Sequence, residues 1–213
     1  MRTAVMAALV ISLLLMPVMV SAQINNNQVK LTEKRSHWAV GIMYTDNGFG
    51  VSGTHFRDIG RTTDLTFKLS ISGVTDPSEV EYYDYWGNSY TAGKVNRVFL
   101  TSLSIGLKKN IFYDDIEGNF KPFIRAGVAP SFVLTTPYDR SFFKAFGYAQ
   151  PGFAFGPYGG IGIEYQESNT IGMSITADYY YLPVIGREIL SLKDKPMNNL
   201  GGIQLTFNFL FLH

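Results

Sequence analysis

Along most of the chain, apolar residues alternate with small or polar ones at every second position, which is the period of a β-strand with unlike faces. Eight such segments stand out. The first, about 36–45, sets Trp38, Val40, Ile42 and Tyr44 on one face against Ala39, Gly41, Met43 and Thr45 on the other. A weaker one follows at about 49–56. The third, about 64–74, alternates Leu65, Phe67, Leu69 and Ile71 with Thr66, Lys68, Ser70 and Ser72. The fourth (about 97–112) and fifth (about 121–134) repeat the pattern, with Ser102, Ser104, Gly106, Lys108, Arg125, Gly127 and Ser131 on the small and polar side. The sixth is read at about 155–166 and the seventh at about 170–181. In the last, from about 199 onward, Ile203, Leu205, Phe207, Phe209 and Phe211 oppose Gln204, Thr206 and Asn208.

The connections also follow a pattern. Those after the second, fourth and sixth strands are short and polar. Those after the third, fifth and seventh are long, at about 76–95, 135–154 and 182–198. The first connection, Asp46-Asn47-Gly48, is short because Asn-Gly tolerates the positive φ of a tight hairpin turn. Tight turns at one end and long loops at the other are the arrangement of bacterial transmembrane barrels. The fold expected is therefore all-β: an eight-stranded antiparallel up-and-down transmembrane β-barrel, with long loops outward and termini toward the periplasm.

Charge decides which face is wet. The ionised residues within strands, Lys68, Lys108, Arg125, Glu164 and Asp178, all fall on the face that carries Gly, Ser and Thr. Against lipid, Lys68 and Arg125 near the midplane would each cost about 2–4 kcal/mol. That is a large part of a typical stability of roughly 5–15 kcal/mol, so in a membrane this face points inward. An eight-stranded interior is just wide enough for side chains to fill. Lys68 and Arg125 are expected to pair there with Glu164 and Asp178; the alternative sets the four charges apart near the barrel ends, in water. On the outward face, Trp38, Tyr44, Phe99, Tyr165, Tyr179 and Tyr181 lie near strand ends, as in an aromatic girdle.

The first 22 residues change the compartment. Arg2, an apolar run from Ala4 to Val20, and Val20-Ser21-Ala22 read as a secretory signal, which divides the chain into a signal peptide (1–22) and a barrel domain (23–213). The sequence holds 18 basic and 17 acidic residues; without Arg2 the two signs balance. A nucleic-acid binder would show a basic excess. The absence of Cys excludes disulfides and thiolate metal sites.

With these features the chain resembles the small eight-stranded outer-membrane barrels of Gram-negative bacteria, the group that includes the OmpA transmembrane domain and OmpX. The final strand, from Gly202 to Phe211, resembles the C-terminal signal read by the barrel-assembly machinery, with Gly202, Leu205 and Phe207 at its glycine and spaced hydrophobic positions. The family usually ends on an aromatic residue, whereas this chain ends Phe211-Leu212-His213. The resemblance implies an outer-membrane location reached through the periplasm, with outer-membrane lipids and the assembly machinery as partners.

No catalytic, metal or cofactor site is expected. His37, His55 and His213 sit on unrelated segments, and none shows the His and Ser two apart of the lipid A deacylase type. Gly159-Gly160-Ile161-Gly162 lacks the helix and further glycine of a phosphate loop and reads as close strand packing. The candidate surface residues are Tyr82, Tyr83, Tyr85 and Trp86 in the first long connection and Tyr138, Phe142 and Phe143 in the second. These aromatics either bind a glycan or partner, or pack the two loops together as a cap; the liability of wetting so many rings favours the cap. The third long connection reads as a solvated surface around Arg187, Glu188, Lys193, Asp194 and Lys195, with a short helical turn at 189–192. The leading expectation is a structural or surface-interaction barrel. A narrow pore and a lipid A-modifying enzyme are the alternatives.

Overall fold

The structure is a computed structural model, which describes residues 36–87, 89–113, 119–167 and 170–212. The expected signal peptide lies outside the described residues, as do His213 and most of the turn after the fourth strand. Among the described residues eight long strands form the barrel: β1 (Ser36–Thr45), β2 (Gly48–Asp58), β3 (Thr63–Val74), β4 (Asn96–Asn110), β5 (Phe120–Pro137), β6 (Gln150–Gln166), β7 (Ile171–Tyr180) and β8 (Gly202–Leu212). Each pairs antiparallel with its neighbour in sequence, and β8 closes on β1 with Trp38 opposite Phe211 and Thr45 opposite Gln204. Closure leaves no free edge along the wall, so the backbone polar groups are satisfied within the cylinder, as a lipid surround requires.

Alternation sets the two surfaces. Outward residues are apolar and open: Val40, Ile42, Leu69, Ile71, Ile161, Ile175 and Ile203 are all more than half exposed. The lumen buries Thr54, Thr66, Lys68, Ser104, Lys108, Arg125, Thr176 and Asp178. This inverts the soluble pattern, in which apolar side chains fill the interior. Trp38, Tyr44, Tyr179 and Tyr181 are outward and exposed near strand ends.

The β1–β2 turn is tight, as expected, but its two loop residues are Asp46 and Asn47, neither at positive φ, and Gly48 already pairs with Thr45 in the ladder. Gly48 has φ +148°, and a Cβ there would lie 2.5 Å from the Gly73 carbonyl oxygen. The Asp46 carboxylate accepts from the Ile203 amide (2.8 Å), and the Asn47 carbonyl accepts from the Thr75 amide (2.7 Å), which ties this short loop to its neighbours.

Strand ends differ from expectation where proline obscures the period. β5 and β6 stay in register up to Thr135 opposite Gln150, so the second long connection shrinks to residues 138–149. Pro151, Gly152 and Pro157 interrupt the alternation of β6, and proline brings no N–H to the ladder. β4, β5 and β6 hold 15, 18 and 17 residues, against 10–12 in the other five. A tilted membrane-crossing strand needs about 9–11, so one side of the barrel carries a raised outer wall.

The third connection corrects the sequence reading. Residues 189–192 form a strand, not a helical turn: Ile189–Leu192 pairs with Lys195–Met197 around Asp194, which has φ +60°. Arg187, Glu188, Lys193, Asp194 and Lys195 are exposed, but Ile189, Ser191, Leu192 and Met197 are buried. Contacts with the raised wall, rather than local propensity, hold this segment extended.

Candidate functional site

The lumen is filled in layers. At the end with the short turns, Lys108 of β4 lies between two carboxylates, 2.6 Å from Glu164 of β6 and 3.3 Å from Asp64 of β3. Phe56 and Phe123 lie beneath its ammonium group, with ring centres at 5.1 and 4.8 Å. Gln166 bridges outward, donating to Glu164 (3.3 Å) and accepting from Lys121 (2.6 Å).

One layer further in, the Arg125 guanidinium of β5 grips Asp178 of β7 with two nitrogens. Nε donates to Oδ1 at 2.6 Å and Nη2 donates to Oδ2, while Nη2 also reaches Thr176 Oγ1 at 3.0 Å. Such a fork onto a carboxylate combines geometry with charge. Gly160 makes room for it, since a Cβ there would collide with Asp178 Oδ1. Lys68 of β3 is buried beside this pair. It donates to Thr206 Oγ1 at 3.3 Å, and its Nζ lies 6.0 Å from the Tyr180 ring centre. Tyr180 stacks on Tyr158 at 4.9 Å and shares a hydrogen bond with Ser104.

Of the four charges singled out in the sequence, Arg125 and Asp178 are thus in contact, whereas Glu164 bonds Lys108 and Lys68 bonds a threonine. Asp64 was missed. It shares the even-numbered face of Thr66 and Lys68 and was legible from that parity, since the third strand is read from residue 64 onward.

Toward the long-loop end the filling becomes apolar. Val74, Val98, Leu100, Ala129, Val133 and Ala154 from the wall pack with Leu182, Ile189, Met197 and Leu200 from the third connection. Below this plug is a cavity of about 20 Å³, bordered by Ser70, Ser102, Tyr180 and Gln204, with space for little more than a water molecule. A polar latch holds the third connection down. Glu79 accepts from Lys94 (2.5 Å) and from the Ser191 hydroxyl, the Ser191 carbonyl accepts from the Val95 amide (2.8 Å), and the Leu190 carbonyl accepts from Asn96 (2.7 Å).

The cap is therefore made by the third connection, not by the first two packed on each other. In the first, Glu81–Tyr83 pairs with Ser89–Thr91 as a small hairpin on which Tyr82 stacks with Tyr90 at 5.7 Å. Tyr83 is exposed, and Tyr85 and Trp86 at its tip are 95% and 83% exposed. In the second, Phe142 and Phe146 pack over Phe99 on the outside of β4, and Phe143 is 87% exposed. Tyr138 lies at the base, with the Arg97 guanidinium 4.7 Å from its ring centre. The third connection was missed as the cap because its charged residues, seen one by one, look solvated.

Among the described residues the two histidines do not come together. His37 and His55 occupy neighbouring strands but opposite faces: His37 stacks on Phe56 inside at 4.5 Å, and His55 sits against Trp38 outside at 4.4 Å. Among the described residues no cluster of His, Asp and Glu is arranged to hold a metal ion. The glycine run 159–162 lies within β6, where Gly162 makes room for the Phe123 ring.

No protein-family model matches the chain, and no curated protein matches it in sequence. Solved structures do. Neisserial surface protein A aligns with a TM-score of 0.54 at 11% identity, covering 84% of this chain and 95% of that one. A major outer membrane protein from Thermus thermophilus aligns with a TM-score of 0.56 at 12% identity, covering 85% and 100%. At such identities the likeness concerns the fold. Together with the closed ring of strands, the outward apolar band and the ionised lumen, it gives this chain the fold of the small eight-stranded outer-membrane β-barrels.

Proposed function

We propose that the protein is an integral outer-membrane barrel, exported through the periplasm, with a filled, non-conducting lumen and a role in structure or surface interaction. The observation that carries this is the inverted cylinder: most of the wall's isoleucine, leucine and phenylalanine side chains face out while Lys68, Lys108, Arg125, Asp64, Glu164 and Asp178 are sealed within. In water the outer band would be an apolar patch far larger than a monomer tolerates. In lipid it costs nothing, and the paired charges are sheltered from the membrane. Outer-membrane lipids are its surroundings, and the barrel-assembly machinery inserts it by way of β8, whose outward Leu205, Phe207, Phe209 and Phe211 form the terminal hydrophobic stripe.

Two ion-paired layers and an apolar plug argue against a solute path. The exposed Tyr82, Tyr83, Tyr85 and Trp86 hairpin is the element for surface contact, since rigid aromatic rings offer large contact area at small entropic cost. Cell fractionation with a heat-modifiability gel tests location and fold: the protein is expected in the outer-membrane fraction, with a mobility shift on boiling. Planar-bilayer recording tests the filled lumen. Recovery of the mature chain as a soluble species without amphiphile overturns the location, and steady conductance overturns the sealed interior.

A further inference from the structure

We propose that the second outer connection anchors the barrel to phosphorylated glycolipid of the surrounding leaflet, with Arg140 and Lys144 meeting the phosphates and Phe142, Phe143 and Phe146 entering the acyl boundary; this rests on the membrane reading above. Residues 138–149 contain a helical turn, Phe142–Ala145, continued by a tighter turn, Phe146–Tyr148. Phe142 and Phe146 are four apart and share a side of it. Both pack on Phe99, their ring centres 6.2 and 5.9 Å away, and Phe99 belongs to the outward stripe of β4 with Leu103 and Leu107. The segment therefore lies against the outside of the wall and not over the mouth. Ala145 is buried, while Phe143 is 87% exposed.

The surface it joins is already lipid-facing. Phe132 and Phe153 form an edge-to-face pair at 5.5 Å on the neighbouring β5 and β6, and Phe155 continues the row. The second connection thus extends an apolar belt at the outer ends of the strands, the level at which headgroups begin. Basic groups stand at that level. Arg97 donates to the carbonyls of Pro137 (3.0 Å) and Arg140 (3.2 Å) and so fixes the base of the segment. The Arg140 guanidinium lies 3.8 Å from the centre of the Tyr148 ring. Stacking occupies its face, and its N–H donors lie in the plane at the edge, the geometry that suits phosphate. Lys144 is exposed one helical turn on. Asp139 is the single acid in the segment and leaves it net positive. A short segment with rings on one side and cations on the other lies in an interface and favours anionic lipid. A protein partner would not require the rings to be continuous with the lipid-facing belt.

The full mature protein, folded in detergent, should be presented with diphosphoryl lipid A or with the same lipid after phosphatase treatment, and retained lipid counted by native mass spectrometry. The wild type is expected to retain the phosphorylated form preferentially. Each basic residue at an anionic surface is worth roughly fivefold in binding, so Arg140→Ala/Lys144→Ala should weaken phosphorylated lipid about 25-fold and leave the dephosphorylated form unaffected. Phe143→Ser should weaken both. Equal retention of the two lipids by the wild type, or undiminished selectivity in the double variant, overturns the proposal. The heat-modifiability shift is read on every variant. If it persists while selectivity is absent, only this inference falls; if the wild type lacks the shift, the membrane reading falls with it.

Discussion

Arg125→Met keeps most of the side chain's length and removes the charge that faces Asp178. Both partners are out of solvent, with side chains 4% and 0% exposed. What remains beside the Asp178 carboxylate is Thr176 Oγ1 at 3.4 Å, with Lys68 as the nearby buried cation. Removing one partner of a buried ion pair costs about 3–5 kcal/mol, chiefly because the other charge is stranded. Part of this is recovered if the carboxyl takes up a proton or Lys68 swings across, so the lower end of the range is expected. Urea titration of the folded protein in lipid vesicles, followed by the gel mobility shift, measures it. With a slope of roughly 1–3 kcal/mol per molar, about 3 kcal/mol moves the midpoint by roughly 1–3 M. Arg125→Met/Asp178→Asn removes both charges and keeps a hydrogen-bonding group beside Thr176; it should recover at least half of the loss. A single variant within about 0.5 kcal/mol of wild type, the range of a surface substitution, refutes the buried pair. So does a double variant no better than the single, because the cost would then not come from a stranded charge.

Lys108→Met deprives Asp64 and Glu164 of the cation they share and should lower the urea midpoint at least as much as Arg125→Met, since two carboxylates are left facing each other. Gly160→Ala would drive a methyl group into Asp178 Oδ1 and to 2.5 Å from the Ala177 carbonyl oxygen, and the same titration should show a loss of about 1–3 kcal/mol. Glu79→Gln weakens the latch to Lys94; limited trypsin digestion should cut faster at Arg187 and Lys193 (Lys195 is protected by the Pro196 that follows it), while the barrel's unfolding midpoint is little changed, because the latch lies outside the ring of strands. Deleting residues 82–90 should leave insertion and heat-modifiability intact, because the hairpin takes no part in the plug, and loss of insertion would assign it a structural role.

The chain's alternation determined the strand number, the wall and its orientation. A period of two sorts every strand residue to one side, and the burial of ionised groups allows one choice of which side meets lipid. That logic needs no knowledge of partners, so β1, β3 and β7 could be read within a residue or so of their ends. It weakened where proline and glycine interrupt β6, since pairing with β5 there depends on register carried over from the rest of the ladder. Contacts across the lumen were beyond it. Parity places Arg125, Asp178, Glu164 and Lys68 on one surface, but the stagger between strands sets their heights, so Glu164 meets Lys108 and Lys68 meets a threonine. The cap was decided only in three dimensions. Residues 189–192 are extended and buried because β4–β6 rise beyond the other strands and offer backbone and apolar partners, and these come from positions far away along the chain.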